Sequence, residues 1–142
     1  MPFIGNYSRQ AVHQGLHFQP NRKAVLIQIS DVDSQPLDPM YSFKEVHRFW
    51  FDDAEDSSDG VCITQLQAKE IAAILRDALR NGSDVVVNCH AGICRSGAIT
   101  EVGVMLGFQD AETERIPNQL VKKMLLQELG LSFDPEFSAF NS

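Results

Sequence analysis

The chain has no apolar run long enough to cross a bilayer as a helix. Its first stretch, MPFIGNYSRQAVHQGLHFQP, lacks the charged start and unbroken apolar centre of a signal peptide. It is also short of positive charge. With a formal net charge of -7 it has no surplus of Lys and Arg for a broad grip on nucleic acid or an anionic membrane, so neither is expected as a partner. Cysteine is scarce too: three residues, an odd number, read as reduced thiols rather than a disulfide framework. No internal repeat or low-complexity tract is present. These absences point to a cytoplasmic globular protein in which any anionic ligand must be held by a local positive site.

What is present fits one core. At 142 residues, 44% hydrophobic and 22% charged, the chain is expected to form a single domain over residues 1–142. AVLIQIS (24–30) reads as a buried strand leaving into the polar, Pro-containing DVDSQPLDP. EVHRFWF (45–51) reads as a second strand, with His47 and Trp50 as packing residues or, alternatively, as borders of the site, and ends in the solvated acidic loop DDAEDSSDG (52–60). From Thr64 the period becomes helical: Thr64 and Gln67 can form a capping box, Ile71, Ile74, Leu75, Ala78 and Leu79 share a face, and Asn81-Gly82 is the stop. DVVVN (84–88) is apolar enough for a strand buried on both faces. A helix is expected from Ser96 to about Phe108, weakened by Gly97, Gly103 and Gly107, and another over 116–129, with Pro117 in its first turn. The tail SFDPEFSAFNS either docks through its phenylalanines or frays. The order predicts an α/β domain, a central mostly parallel sheet flanked by helices, with a phosphate-binding loop between a strand and a helix.

That loop lies within VVVNCHAGICRSGA (85–98). Cys89 and Arg95 are five residues apart with Gly92 between them. A short loop at a strand's carboxyl end, running into a helix start, can turn several backbone N–H groups inward as an anion-binding nest. The helix dipole adds positive potential, and Arg95 can give two parallel hydrogen bonds to a tetrahedral oxyanion. The same field favours a thiolate, whose sulfur would then face the phosphorus of a bound phosphate.

NCHAGICRSG resembles the active-site loop of cysteine-dependent protein tyrosine phosphatases, in particular the small dual-specificity branch, bacterial and phage types included. The likeness extends more weakly over most of the chain, down to Pro117-Asn118 before the last helix. The resemblance implies Cys89 as the nucleophile forming a cysteinyl-phosphate, Arg95 as the clamp on the phosphoryl oxygens, and Ser96 as the residue that bonds the sulfur and helps it leave. It implies that the backbone of His90, Ala91, Gly92, Ile93, Cys94 and Arg95 cradles the substrate phosphate. It also implies an aspartate general acid on the 52–60 loop: Asp53 fits best, with Asp52 and Asp56 as alternatives. No metal or organic cofactor is expected, because Arg95 and the backbone donors supply the electrostatics. The expected partner is a phosphorylated protein or peptide, bound to a monomer.

Asn88 departs from the family, which usually has histidine before the nucleophile. Cys94 replaces a more usual polar residue and reads as a small side chain in a tight loop. The sharper alternative is that Cys94 or Cys62 captures an oxidised Cys89 as a reversible disulfide. A zinc site from Cys62, Cys89, His90 and Cys94 lacks paired spacing and would set Arg95 beside the metal. The rival functions are a phosphate-binding pseudophosphatase, for which Asn88 is the warning sign, and an RNA 5'-phosphatase or small-phosphoester phosphatase of the same fold.

Overall fold

The structure, a computed structural model, describes residues 1–132, so all but the first residue of the tail lies outside the described residues. The elements run β1 Phe3–Ser8, α1 Arg9–Gln14, β2 Val25–Ser30, β3 Glu45–Trp50, α2 Gln65–Asn81, β4 Val85–Cys89, α3 Arg95–Leu106, β5 Gln109–Asp110 and α4 Gln119–Glu128. The strands form one sheet in the order β3-β2-β4-β1-β5, and every pairing is parallel. All carboxyl ends therefore lie along one edge, where ligands gather in open α/β sheets.

Alternation along the strands assigns the two faces. Val85, Val87 and Cys89 of β4 join Val25, Ile27 and Ile29 of β2 in the larger core, covered by α2, α3 and α4. Val86 and Leu26 face the other way, onto a smaller cluster with Tyr7, Ala11 and Val12. Burial on both faces explains why β4 is a continuous apolar run. Helix α2 has its capping box at Thr64 and a left-handed Gly82 at its end, as its sequence indicates. Its Ile71 and Leu75 are fully buried, each stabilising the fold by roughly 1.5–3 kcal/mol.

Helix α3 is buried on nearly every side over 95–103. The glycines that weaken it as a helix are contact points. A Cβ on Gly103 would lie 2.5 Å from Ile4 Cδ1, and one on Gly97 would lie 2.8 Å from Arg115 Cβ. They let β1 and the segment before α4 press onto the helix.

Several expectations need correction. Beyond the expected elements, the N-terminal segment forms β1 and α1, and Gln109–Asp110 forms β5. The last helix starts at Gln119 rather than at 116, because the Asn118 side chain caps it by accepting from the Val121 N–H, and Pro117 precedes the cap. Residues before it stay in a loop, tied by the Ile116 N–H to the Ile93 carbonyl. On β3 the packing residues are Phe49 and, just beyond, Phe51. His47 instead contacts Glu45, and Trp50 is 39% exposed, its indole N–H donating to the Ser34 carbonyl. No helix among the described residues is long and apolar enough to cross a membrane.

Candidate active site

The loop from His90 to Cys94 leaves the centre of the sheet and enters α3. Its carbonyls are anchored from outside. His90 O accepts from the Arg9 N–H at 3.4 Å, Gly92 O from Asn6 Nδ2 at 2.7 Å, and Ile93 O from the Ile116 N–H at 3.2 Å. Cys94 O accepts from both Ala98 and Asn118 N–H groups. By contrast, no backbone N–H of His90, Ala91, Gly92, Ile93 or Cys94 donates to any partner among the described residues. The helix start adds its own open donors, since Cys94 at the N-cap position makes no side-chain cap. With the carbonyls bonded elsewhere and the donors left open, the loop has the form of a cradle that could hold a tetrahedral oxyanion.

Gly92 makes this possible. Its φ is +75°, and a Cβ there would sit 2.2 Å from both the Ser8 nitrogen and the Tyr7 carbonyl carbon, backbone atoms that cannot move aside. Asn6 completes the brace. It is buried on β1, donates to the Gly92 and Glu114 carbonyls, and accepts from the Thr113 hydroxyl. Tyr7, beside it, has its phenol pushed up to about 12 by burial, with the charge of Asp84 adding to the shift.

Cys89 is 2% exposed, at the floor of the cradle, and its Sγ is 3.1 Å from Ser96 Oγ. Arg95 is also buried. Its Nη1 donates to the Phe51 carbonyl at 2.8 Å and pairs with Asp31 Oδ1 at 2.7 Å, whereas its buried Nε has no partner among the described residues. One edge of the guanidinium is thus used as an anchor, leaving Nε as a donor for a ligand. Cys94 neighbours both Cys89 and Asp53. Burial pushes its thiol up, and the adjacent Asp53 carboxylate, by charge and hydrogen bond, pushes it further. Of the two cysteines considered as partners of Cys89, Cys94 is thus the one in its electrostatic neighbourhood; Cys62 lies just before α2.

The three aspartates have different surroundings. Asp52 accepts from the Val61 and Val32 N–H groups, which hold its carboxyl below the usual carboxylate range. Asp56 accepts from the hydroxyl and the N–H of Ser58, which lower it in the same way. Asp56 closes a turn of its own loop, while Asp52 ties that loop to Val61 and to the segment after β2. Asp53 instead reaches across to α4: Asn118 Nδ2 donates to its Oδ1 at 2.9 Å and to the Ala54 carbonyl at 3.2 Å.

Asn88, on the α1 face of β4, has its Oδ1 buried without a partner among the described residues. Sequence reasoning missed three supports of the site. Asp31 follows the end of β2, at the edge where functional side chains collect. Asn118 carries the signature of a helix cap, an Asn just before an apolar stripe. The third is the buried network of Arg115, Glu101 and Asp110, with Arg115 Nε 2.8 Å from Glu101 Oε2 and Nη2 2.8 Å from Asp110 Oδ2, which fixes the segment leading to Asn118.

Solved structures share this arrangement of strands and helices. Human DUSP28 matches with a TM-score of 0.53 and 16% identity, covering 96% of this chain and 85% of that chain. A single-residue variant of the same human protein gives 0.52 and 15%, covering 94% and 80%. The fold is therefore that of the small dual-specificity phosphatases. No protein-family model matches the chain, and no curated protein matches it.

Proposed function

We propose that residues 1–142 form a single phosphatase domain that hydrolyses phosphotyrosine, and phosphoserine or phosphothreonine where they reach the sulfur, through a cysteinyl-phosphate. The observation that carries this reading is the cradle: the loop that follows Cys89 leaves its backbone donors open, and the Arg95 that ends it keeps a buried Nε without a partner among the described residues. A phosphoryl group held there presents its phosphorus to the sulfur, and the fixed donors stabilise charge as it spreads over the phosphoryl oxygens.

In the first step the Cys89 thiolate forms a P–S bond as the ester P–O bond breaks, and the leaving oxygen takes a proton from Asp53. In the second, water attacks phosphorus and gives a proton back to Asp53, the P–S bond breaks, and phosphate leaves with the thiolate restored. Ser96 Oγ, 3.1 Å from the sulfur, stabilises the departing thiolate. Asp53 is preferred over Asp52 and Asp56 because it neighbours Cys94 of the cradle loop and is tethered by the Asn118 amide, whereas Asp52 is occupied by the Val61 and Val32 N–H groups and Asp56 by Ser58. The free cysteines suit a reducing, cytoplasmic setting.

The test is phosphate release from p-nitrophenyl phosphate by the wild type and by Cys89→Ser. Turnover that is abolished in the variant and blocked by vanadate in the wild type supports the enzyme. Equal, negligible rates in both proteins would make the cradle a binding module.

A further inference from the structure

Three of the loops around the cradle are acidic. Asp33, Glu55, Asp56, Asp59, Glu112 and Glu114 are exposed on the segments that follow β2, β3 and β5. The cations near that edge are engaged or withdrawn: Arg95 and Arg115 are buried and ion-paired, Arg9 is half-buried, and the exposed Arg48 bonds Gln28 and pairs with Asp38. The opposite edge, at the amino ends of the strands, mixes Lys23, Lys44 and Arg80 among its carboxylates. The negative charge is therefore concentrated on the face a substrate must approach.

One groove gives this field a local form. A cleft of about 250 Å³ opens beside Cys94 and Asp53, with Glu55 and Asp59 on its wall and Ile116 and Pro117 as its apolar side. No Lys or Arg lines it. Ile116 is 69% exposed, although the N–H of the same residue braces the cradle. Glu55 Oε1 accepts from the Gln119 N–H, while the carboxylate of Asp59 accepts no hydrogen bond among the described residues.

Resting on the phosphatase reading above, we propose that the substrates are phosphorylated residues in basic peptide segments, and that Asp59, with Glu55 beside it, selects a flanking Lys or Arg. The cradle anchors the phosphate, and the carboxylates choose among the chains that carry it. A lysine or arginine stem packs along Ile116 while its head meets Asp59. Chains with several phosphates, RNA ends among them, meet the same rim as repulsion.

The experiment measures fluorescence anisotropy of labelled phosphotyrosyl peptides on full-length Cys89→Ser, which reads binding whether or not the wild type turns over. Peptides flanked by Lys and Arg are expected to bind about tenfold more tightly than the same sequence flanked by Glu, with the gap closing as salt rises. Asp59→Asn in that background should reduce the ratio by about two- to fivefold, and Asp59→Glu should restore it. A thermal melt and tungstate binding by each variant show that fold and cradle are intact. Equal affinities, a preference for acidic flanks, or tighter binding of a 5'-phosphorylated oligonucleotide would each overturn the inference. Cys89-dependent hydrolysis of p-nitrophenyl phosphate, assayed separately, shows whether the phosphatase reading itself stands.

Discussion

Two loops leave neighbouring parts of the same sheet edge and are built in opposite ways. The one after β4 is short, holds a left-handed glycine, and has its carbonyls bonded to β1, α1, the segment before α4 and its own helix. The one after β3 is acidic, largely exposed, and shaped by its own aspartates. The difference matches the chemistry proposed for each. Donors aimed at a phosphoryl group work only if they do not reorganise as charge develops. A proton donor must reach solvent and exchange its proton in every cycle, which suits an exposed side chain held only by the Asn118 amide and the Cys94 thiol.

The largest effect is expected from breaking the rigid partner. Gly92→Ala forces a Cβ into the Ser8 and Tyr7 backbone at a φ that L side chains rarely adopt. The cradle must then open, losing several donors at once, and kcat/KM for p-nitrophenyl phosphate should fall by about 10³-fold or more. Tungstate binding, read by calorimetry, should weaken in parallel. Tight tungstate binding in this variant would show that the loop does not depend on that close approach.

Asp53→Asn breaks the other partner alone. Turnover of an alkyl phosphate, whose leaving group needs a proton, should fall by about 10²-fold or more, with tungstate affinity kept. A substrate with a very acidic phenol should lose much less. Asp56→Asn should lack that leaving-group dependence, because its carboxyl closes a turn on Ser58. If Asp56→Asn shows the dependence and Asp53→Asn does not, the acid has been misassigned.

The cradle was legible in the sequence because its signals are local: an apolar strand, a cysteine, a glycine at the bend, an arginine at the helix start. The parallel sheet and helix α2 were legible for the same reason. The N-terminal segment was not. Gly5 and Asn6 weaken the β1 pattern, and Asn6 is a good strand residue only because its partners, Gly92, Thr113 and Glu114, arrive from far along the chain. The aspartates pose the same difficulty. Asp52, Asp53 and Asp56 are chemically alike in sequence and differ through contacts made at a distance, above all the one from Asn118.

Asn118 joins the two loops, so altering it sharpens the comparison. Its N–H holds the Cys94 carbonyl, its Oδ1 caps α4, and its Nδ2 holds Asp53. Asn118→Ala removes the cap as well as the tether and should destabilise the protein by about 1 kcal/mol. Asn118→Ser keeps a capping oxygen and removes the donor to Asp53. It should retain most of the stability while kcat falls by about tenfold, since a misplaced acid is a weak one. Equal kcat losses in step with lost stability would reduce Asn118 to a structural cap.

The smallest effect concerns how the exposed loop is held. Asp52 accepts from the Val61 and Val32 N–H groups, and the left-handed Gly60 brings the chain back over it. Those bonds lower its pKa from the usual value of 3.8, with Arg95 a minor contributor. A carboxyl lowered on folding binds its proton more readily in the unfolded chain, so its contribution is present above the unfolded value and fades as pH falls through the folded one. The urea midpoint of the wild type should therefore exceed that of Asp52→Asn at neutral pH, and the gap should narrow from about pH 4 downward. A gap that stays constant into acid would mean that the bonds to Val61 and Val32 do not depend on the charge, and that the acidic loop is held by its backbone alone.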